Sequence, residues 1–266
     1  MESQLNLTND YKASRIISSC PIFGRIHNNP NYGKVYYQTN EDLHYPYSDI
    51  DFYEKDVLSV LSSGDHVFTA RFLEAAKVDA FDINKLTLYY FYLRLWSIKY
   101  RRELFPDILG EDKSWLESLL KEVKPKSERE KIVLSFFQRH FKDRTNLKNF
   151  FFEQDTQLPG RTTYRDVSEL MNHTETNFNF YNIDLFKNQF IENQYDIILL
   201  SNILEWSHEE EKTKQALENL ANLTRKDGIV VCARLIKSTD LAKEADIFKP
   251  YFEQENFGKA YVYHRK

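Results

Sequence analysis

The strongest constraint on the fold is a series of short, mainly apolar runs separated by stretches with helical spacing. The runs are residues 57–61, 78–81, 178–183, 195–200 and 229–233. Strands that are apolar on both faces indicate a parallel sheet covered by helices on each side. Residues 251–257 and 259–264, joined at Gly258, predict a closing pair of strands. The sequence therefore predicts a Rossmann-like α/β fold with a mostly parallel sheet and helices on both faces.

The stretches between these runs predict the helices. Residues 66–76, the segment that follows Asn84, residues 209–223 and residues 241–248 have apolar side chains at helical spacing. Asn84 is well suited to cap the second of these helices. Lys226-Asp227-Gly228 predicts a turn before the run at 229–233.

Two segments depart from this rhythm and define the domain organisation. Residues 1–50 have no readable periodicity but contain too many aromatic residues for a disordered tail, so we expect an ordered N-terminal cap or arm. Residues from about 101 to 175 are charged and helical in pattern, which predicts a helical insertion. The remaining sequence, within 51–266, is long enough to form one domain with a substantial core.

Composition excludes several classes of protein. The net charge of −4 is unfavourable for binding duplex nucleic acid, which requires many phosphate contacts. Cys20 and Cys232 are far apart and have no ligand-like spacing, so we expect neither a disulfide framework nor a metal site. The sequence contains no secretory h-region and no membrane-spanning apolar run, and we expect a cytoplasmic protein.

Small or polar residues follow four of the predicted strands. The carboxyl ends of parallel strands share one edge of the sheet, and ligands of open α/β sheets bind there, where the strand order switches. Each acid taken alone is equally consistent with a helix cap or a solvated loop, but the convergence favours a ligand site. The predicted cofactor-binding residues are Ser62, Gly64, Asp65, His66, Asp82, Ile83, Asn84, Asp184, Leu185, Ser201 and Asn202.

The loop after the first strand indicates which nucleotide would fit. Ser62-Ser63-Gly64-Asp65 lacks the further glycines of a dinucleotide-binding loop, and no P-loop motif occurs in the chain. A nucleoside without phosphates and with positive charge fits better, and S-adenosylmethionine (SAM) is such a ligand. Asp65 would face its ammonium group. Asp82 follows Gly64 by 18 residues, close to the roughly 20-residue spacing of a ribose-binding acid, and Asp184 would accept from the adenine amino group.

Several of these residues lie in sequence segments that resemble those of a known family. The segments are YQTNED (37–42), VLS (57–59), SSGD (62–65), VDAFDIN (78–84) and LSNILEW (200–206). Together they resemble SAM-dependent 3-amino-3-carboxypropyl transferases, nearest in pattern to the betaine-lipid enzymes that act on diacylglycerol. The likeness covers roughly residues 35–100 and 175–235. The loop Gly64-Asp65-His66 departs from the family pattern, as does Asn40, where the family often has tryptophan.

The resemblance implies a class I methyltransferase fold and a specific reaction. Chain length and richness in Asn, Tyr and Phe are similar to the branch of the family that modifies the phosphate of a peptidyl-adenylate in microcin C-type peptide–nucleotide antibiotic biosynthesis. The implied reaction transfers the 3-amino-3-carboxypropyl group of SAM to that acceptor and releases 5′-methylthioadenosine. The implied setting also allows a complex with a downstream decarboxylase.

A phosphate acceptor needs cations for positioning, whereas a hydroxyl acceptor needs a base. The candidate catalytic residues are Arg234, which follows the run at 229–233, and His44. The candidate substrate-binding residues are Arg25, Lys34, Tyr37, Glu41 and Arg165. Each has an alternative role in packing or hydrogen bonding. Two other functions stay open: a SAM-dependent small-molecule methyltransferase, and a non-catalytic SAM-binding or interaction subunit.

Overall fold

The computed structural model describes the chain in several ranges. They are residues 5–17, 25–26, 29–36, 43, 47–100, 120–122, 124–142, 150, 178–187, 191–206, 210–233, 249–257 and 260–266. The strands within them are β1 (Arg25–Ile26), β2 (Asn29–Gly33), β3 (Asp56–Val60), β4 (Lys77–Phe81), β5 (Phe180–Tyr181), β6 (Tyr195–Ser201), β7 (Thr224–Ala233), β8 (Phe252–Phe257) and β9 (Ala260–Arg265). The helices are α1 (Leu7–Ile17), α2 (Asp65–Phe72), α3 (Leu86–Tyr100), α4 (Glu128–Lys142) and α5 (Glu210–Leu223), with short 3₁₀ helices at Tyr47–Asp49 and Ile203–Trp206.

Seven of these strands form one sheet in the order β5-β4-β3-β6-β7-β9-β8. The pairs from β5 through β7 are parallel, and β9 runs antiparallel to both β7 and β8. The chain moves outward from β3 to β5 on one side and from β6 to β7 on the other, so the order switches between β3 and β6. This is the Rossmann-like class I methyltransferase fold, and the predicted fold class is confirmed.

Alternate residues of the central strands pack into two separate apolar cores. Val57 and Leu199 face one core, together with the buried side chains of α3. Leu58 and Ile198 face the other, with the buried side chains of α5. Since successive side chains of a strand point to opposite faces, the sheet is covered on both sides. The mainly apolar runs in the sequence arise from this double coverage.

Every residue of helix α3 from Leu86 to Ile98 is buried, so this part of the helix is enclosed on all sides. Asn84 caps its first turn as expected: its Oδ1 accepts a hydrogen bond from the amide of Leu86 at 3.1 Å. The hydroxyl of Thr87 donates to the carbonyl of Asn84 at 2.7 Å. The predicted helix and its cap are both confirmed.

The N-terminal segment is more regular than the sequence suggests, because residues 7–17 form helix α1. The buried residues of α1 are Asp10, Ala13, Ser14 and Ile17, which have helical spacing but are mainly small or polar. A search for apolar periodicity therefore misses this helix. The helix docks through hydrogen bonds that Asp10 accepts from the hydroxyls of Tyr32, at 2.7 Å, and Tyr89, at 2.8 Å.

The structure also corrects several element bounds. Helix α2 ends at Phe72, and β5 contains only Phe180 and Tyr181. The turn expected at Lys226-Asp227-Gly228 lies inside β7, as an irregularity between the pairs Tyr195–Thr224 and Ile197–Ile229. Asp227 has a left-handed φ of 63°, which accommodates the extra residues without ending the strand.

The helical insertion is partly described, and the helix expected at 241–248 is not within the described residues. Residues 120–122 and α4 are helical, as the pattern indicates. The serine hydroxyl of Ser14 and Nε2 of His140 form a buried hydrogen bond of 2.7 Å, so α4 packs against α1. The remaining parts of 101–175, and residues 241–248, lie outside the described residues.

Candidate functional site

Left-handed residues flank the point where the strand order switches. Ser62 and Gly64, just past β3, have φ values of 45° and 93°, and Ser201, at the end of β6, has a φ of 56°. A non-glycine residue in this region is strained, by about 1–2 kcal/mol, and such residues concentrate at functional sites. The backbone at this edge of the sheet is therefore bent away from its lowest-energy conformation where the fold class places its ligand.

Asp82 joins the ends of β3 and β4. Its Oδ2 accepts a hydrogen bond from the amide of Ser62 at 2.9 Å, and its Oδ1 accepts one from the amide of Asn84 at 2.8 Å. The side chain is half-buried. Because each carboxylate oxygen is bound by a backbone amide, the orientation of the Asp82 side chain is fixed. The structure thus brings together Ser62, Asp82 and Asn84, as the sequence predicted.

The end of β5 is tied to the end of β4 by Asn182. Its side-chain amide donates to the carbonyls of Asp82, at 2.9 Å, and Ile83, at 2.8 Å. Asp184 makes local contacts, accepting from the amide of Phe186 at 3.1 Å and lying 3.3 Å from Nζ of Lys187. The side chain of Asp184 is 18% exposed, which leaves part of the carboxylate open to solvent at this edge.

The structure corrects the expectation that Asp65 faces a ligand ammonium. Its side chain is fully buried, and Oδ1 lies 2.7 Å from Nη2 of Arg94. The hydroxyl of Ser63 donates to Oδ2 at 2.7 Å. The cation beside this carboxylate is a guanidinium of the protein itself. The role expected for Asp65 is therefore taken over by an internal ion pair.

His66, expected to contact the cofactor, is also an internal residue. The side chain is 1% exposed, and Nδ1 lies 2.8 Å from the hydroxyl of Tyr47 in a hydrogen bond. Leu185 has a buried side chain in the core that contains α5, and its carbonyl accepts from the amide of Asn219 at 2.8 Å. Both side chains are buried inside the protein, and the predicted contact of these two residues with the cofactor stays a prediction.

The side chain of Asn84 forms all its hydrogen bonds within the protein. Its Oδ1 accepts from the amides of Gly33 and Leu86, both at 3.1 Å, and its Nδ2 donates to the carbonyls of Gly33 and Lys34, both at 3.0 Å. All four hydrogen-bonding sites of the side chain are used. Asn84 therefore holds the N-terminal arm against the start of α3, which corrects its expected role as a ligand contact.

Gly64 is required for a reason different from the one the sequence suggested. A Cβ atom at this position would lie 2.7 Å from Cδ2 of Phe91, and φ is 93°. Close packing of α3 against the loop, together with the left-handed backbone, accounts for glycine here. Close approach of a ligand is not needed to explain it.

The other expected site residues are described to different degrees. Ser201 is mostly buried and its hydroxyl lies 3.4 Å from Oδ1 of the half-buried Asn202. The contact between Lys34 and Asn84 brings Lys34 to the carboxyl end of β4. Arg25 pairs with Gly33 in the β1–β2 ladder, but its side chain is not described. Tyr37, Glu41, His44, Arg165 and Arg234 lie outside the described residues.

Sequence reasoning missed the contribution of Arg94. The guanidinium is fully buried and donates to the carbonyl of Ser63 at 2.6 Å as well as to Asp65. A signal exists in the sequence, since Arg94 is the one charged residue between positions 86 and 98. A lone charge in an otherwise buried helix requires a polar partner. The signal does not say which residue that partner is.

A cleft of about 640 Å³ opens at the opposite edge of the sheet, beside the amino ends of β3 and β4. There Arg225 bridges Asp56, at 2.6 Å, and Asp196, at 2.7 Å. Burial raises the pKa of Asp196, but the amide of Asp56 and the Arg225 guanidinium outweigh this and hold it below its usual value. The network closes the amino edge of the sheet.

The described residues contain no group of three or more His, Cys, Asp and Glu side chains arranged to hold a metal ion. Among the same residues, no helix has the length and apolar character needed to cross a membrane.

Comparison with known proteins adds little to this geometry. No protein-family model matches the chain, and no curated protein matches it. The N-methyltransferase NodS from Bradyrhizobium japonicum WM9, solved with S-adenosyl-L-homocysteine, is similar at 8% identity over 97% of this chain and 98% of its own, with a TM-score of 0.43. The magnesium protoporphyrin IX methyltransferase ChlM from Synechocystis PCC 6803, solved with SAM, is similar at 10% identity over 83% and 74%, with a TM-score of 0.45. Likenesses this distant carry no argument, and the fold assignment rests on the strand order.

Proposed function

We propose that this chain binds SAM at the carboxyl edge of β3 and β4 and transfers one of its carbon groups to an acceptor. The observation that carries the proposal is the Asp82 carboxylate, held in place by the amides of Ser62 and Asn84 at the switch point of a class I methyltransferase fold. A carboxylate fixed in this way is suited to accept both hydroxyls of a ribose in charge-assisted hydrogen bonds.

The loop after β3 supports a nucleoside over a dinucleotide. A pyrophosphate is bound by successive backbone amides at a helix N-terminus. Here the first residue of α2 is Asp65, whose buried carboxylate is neutralised by Arg94, and the amide of Ser62 is engaged by Asp82. The amide of Gly64 is also engaged, by the carbonyl of Leu61 at 2.6 Å, so neither loop amide is directed at a pyrophosphate, and the loop is compatible with a ligand that carries no phosphate.

The finer proposal is that the transferred group is 3-amino-3-carboxypropyl. Its support is the sequence resemblance through residues 37–42, 57–65, 78–84 and 200–206. In this reaction an acceptor oxygen attacks the γ-carbon of the methionine moiety. A carbon–oxygen bond forms, the carbon–sulfur bond breaks, and its electron pair stays on sulfur, which leaves as 5′-methylthioadenosine. Orientation of the acceptor selects this carbon over the more accessible methyl group.

The proposed acceptor is the phosphate of a peptidyl-adenylate, as in microcin C-type antibiotic biosynthesis. A phosphate oxygen is already anionic, so it requires cations and no general base. The proposed cations are Lys34, whose backbone carbonyl contacts Asn84 after β4, and Arg25, Arg165 and Arg234. His44 would serve as a base if the acceptor were a hydroxyl. A downstream decarboxylase is the expected protein partner in that setting.

Methyl transfer to a small molecule is the second candidate, and the fold class is equally compatible with it. The class I fold accommodates attack at the methyl carbon equally well, since fold alone does not fix the reaction. The two reactions leave different nucleosides. Methyl transfer releases S-adenosylhomocysteine, whereas aminocarboxypropyl transfer releases 5′-methylthioadenosine.

The decisive experiment incubates the purified protein with SAM and a peptidyl-adenylate and identifies both products by mass spectrometry. We expect 5′-methylthioadenosine together with an acceptor that has gained the aminocarboxypropyl group. Release of S-adenosylhomocysteine would instead establish methyl transfer. If neither product forms, a thermal-shift assay with SAM separates a non-catalytic binding subunit, which SAM stabilises, from a protein that does not bind SAM. Asp82→Ala serves as the inactive control.

A further inference from the structure

The loop after β3 is held from inside the protein by one side chain of α3. Arg94 is fully buried, and its two terminal nitrogens bind different parts of the loop. Nη1 donates to the carbonyl of Ser63 at 2.6 Å, and Nη2 donates to the carboxylate of Asp65 at 2.7 Å. The guanidinium also lies 5.0 Å from the ring centre of Phe68, on α2. It thus joins α3, the loop and α2 at one point.

The loop is closed by its own turn, in which the amide of Gly64 donates to the carbonyl of Leu61 at 2.6 Å, and its backbone conformation is strained. Ser62 and Gly64 both have left-handed φ values, and only the glycine adopts such a value without strain. The planar fork of a guanidinium binds two acceptors at a defined separation and angle, which a lysine ammonium does not. Arg94 therefore fixes the carbonyl of Ser63 and the side chain of Asp65 relative to each other. The residue between them is Gly64.

The conformation of this loop determines the orientation of the proposed ribose-binding carboxylate. In the left-handed conformation of Ser62, its amide points to Oδ2 of Asp82 at 2.9 Å. Ser62 is directly joined to Ser63, whose carbonyl Arg94 holds. A continuous set of contacts therefore runs from Arg94 through Ser63 and Ser62 to Asp82. Arg94 itself is buried too deeply to contact a ligand.

We propose that Arg94 is a positioning residue: its hydrogen bonds to Ser63 and Asp65 hold the loop in the conformation in which the Ser62 amide orients Asp82. Stability alone does not explain the pair. Buried ion pairs are often replaceable by apolar residues with little loss of stability, whereas removal of one partner leaves a buried charge uncompensated. The two effects are separable by replacing both partners.

The first test needs no ligand. The variant Arg94→Met/Asp65→Leu removes the ion pair without leaving a buried charge, so we expect it to fold. Amide hydrogen exchange by NMR should show at least tenfold faster exchange at Ser62, while the amide of Asn84, bound to the other oxygen of Asp82, keeps its protection. Tyr89→Phe is the matched control, since it removes a buried hydrogen bond to Asp10 from the same helix. Exchange at Ser62 equal to that of the wild type would overturn the proposal.

The second test rests on the proposed function and uses SAM in calorimetry. We expect the double variant to bind SAM at least tenfold more weakly than the wild type, Arg94→Lys to be intermediate, and Tyr89→Phe to bind normally. Wild-type affinity in the double variant would show that the ion pair is structural only. If the wild-type protein does not bind SAM, the proposed function is wrong, and the exchange experiment still decides whether Arg94 positions the loop.

Discussion

The carboxylate of Asp82 accepts a hydrogen bond from the backbone amide of Ser62 at 2.9 Å, so one side chain ties together the ends of two neighbouring parallel strands. Its other oxygen accepts from the amide of Asn84 at 2.8 Å. Both bonds come from backbone groups, which do not change rotamer. The carboxylate is therefore oriented before any ligand arrives, and this preorganisation reduces the entropy lost on binding.

Asp82→Ala should weaken SAM binding at least hundredfold while leaving the chain folded. Two hydrogen bonds to a charged group contribute about 3 kcal/mol or more, and this corresponds to roughly two orders of magnitude in affinity. Isothermal calorimetry measures the change. Asp196→Ala is the matched control, because Asp196 also accepts a strand amide, from Asp56 at 2.8 Å, but lies at the opposite edge of the sheet. Unchanged affinity in Asp82→Ala would sink the ribose assignment.

Gly64→Ala should destabilise the protein by about 2–5 kcal/mol. A left-handed alanine costs about 1–2 kcal/mol, and overpacking adds about 1–3 kcal/mol. The overpacking arises because the new Cβ would lie 2.7 Å from Cδ2 of Phe91. Urea unfolding gives the free energy. Adding Phe91→Leu should recover the packing part but not the backbone part, and a complete recovery would show that the φ of 93° causes no strain.

Asn84→Ala should loosen the N-terminal arm and lower stability by about 2–4 kcal/mol. The change removes a helix cap, at about 1 kcal/mol, and leaves the buried groups of Gly33 and Lys34 without their side-chain partner. Limited proteolysis should cut the arm faster, and urea unfolding should give the free energy. Asn219→Ala is the control, since its amide also bridges two carbonyls but lies on α5. Equal proteolysis of both variants would contradict this role.

Asp79→Asn should reduce stability at neutral pH, with the difference shrinking in acid. Burial raises the pKa of Asp79, but Lys77, Asn179 and Tyr195 together outweigh it and hold the pKa below its ordinary value of 3.8. Because the pKa is lower in the folded state, the stabilisation is fully present above the unfolded value and is lost as pH falls below it. Urea unfolding at successively lower pH measures this dependence.

The control for that experiment is Asp49→Asn, which changes an exposed carboxylate. It should show no comparable difference from the wild type at neutral pH. A stability difference for Asp79→Asn that stays constant from neutral pH into strong acid would show that the charge of Asp79 is not the source of its contribution.

The sheet could be predicted from the sequence because its signal is local. Each central strand is a mainly apolar run, as at 195–200, and this pattern follows directly from burial on both faces. Helix α1 could not be predicted, because its buried face contains Asp10 and Ser14. Their burial depends on partners distant in sequence, such as Tyr89 and His140, which local periodicity cannot detect.

Part of the candidate site could likewise be predicted from the sequence, and part could not. The spacing of Asp82 from Gly64 and the shared edge of parallel strands predicted that the ends of β3 and β4 meet, and the bond between Ser62 and Asp82 joins them. The sequence could not show that Asp65 belongs to Arg94, because that pair depends on the rotation of α3 about its axis. Acidic residues at strand ends therefore need a tertiary structure before a ligand is assigned to them.

The buried carboxylate of Asp10 has a practical consequence for protein engineering. It accepts hydrogen bonds from Tyr32, Tyr89 and the amide of Asn6, so three segments supply its solvation. A shortened version starting at residue 51 would deprive the hydroxyl of Tyr89 of its acceptor and would uncover the core against which α1 packs. Replacing α1 with a foreign leader would have the same effect on Tyr89, so changes near the N-terminus should preserve Asp10 and the helix that presents it.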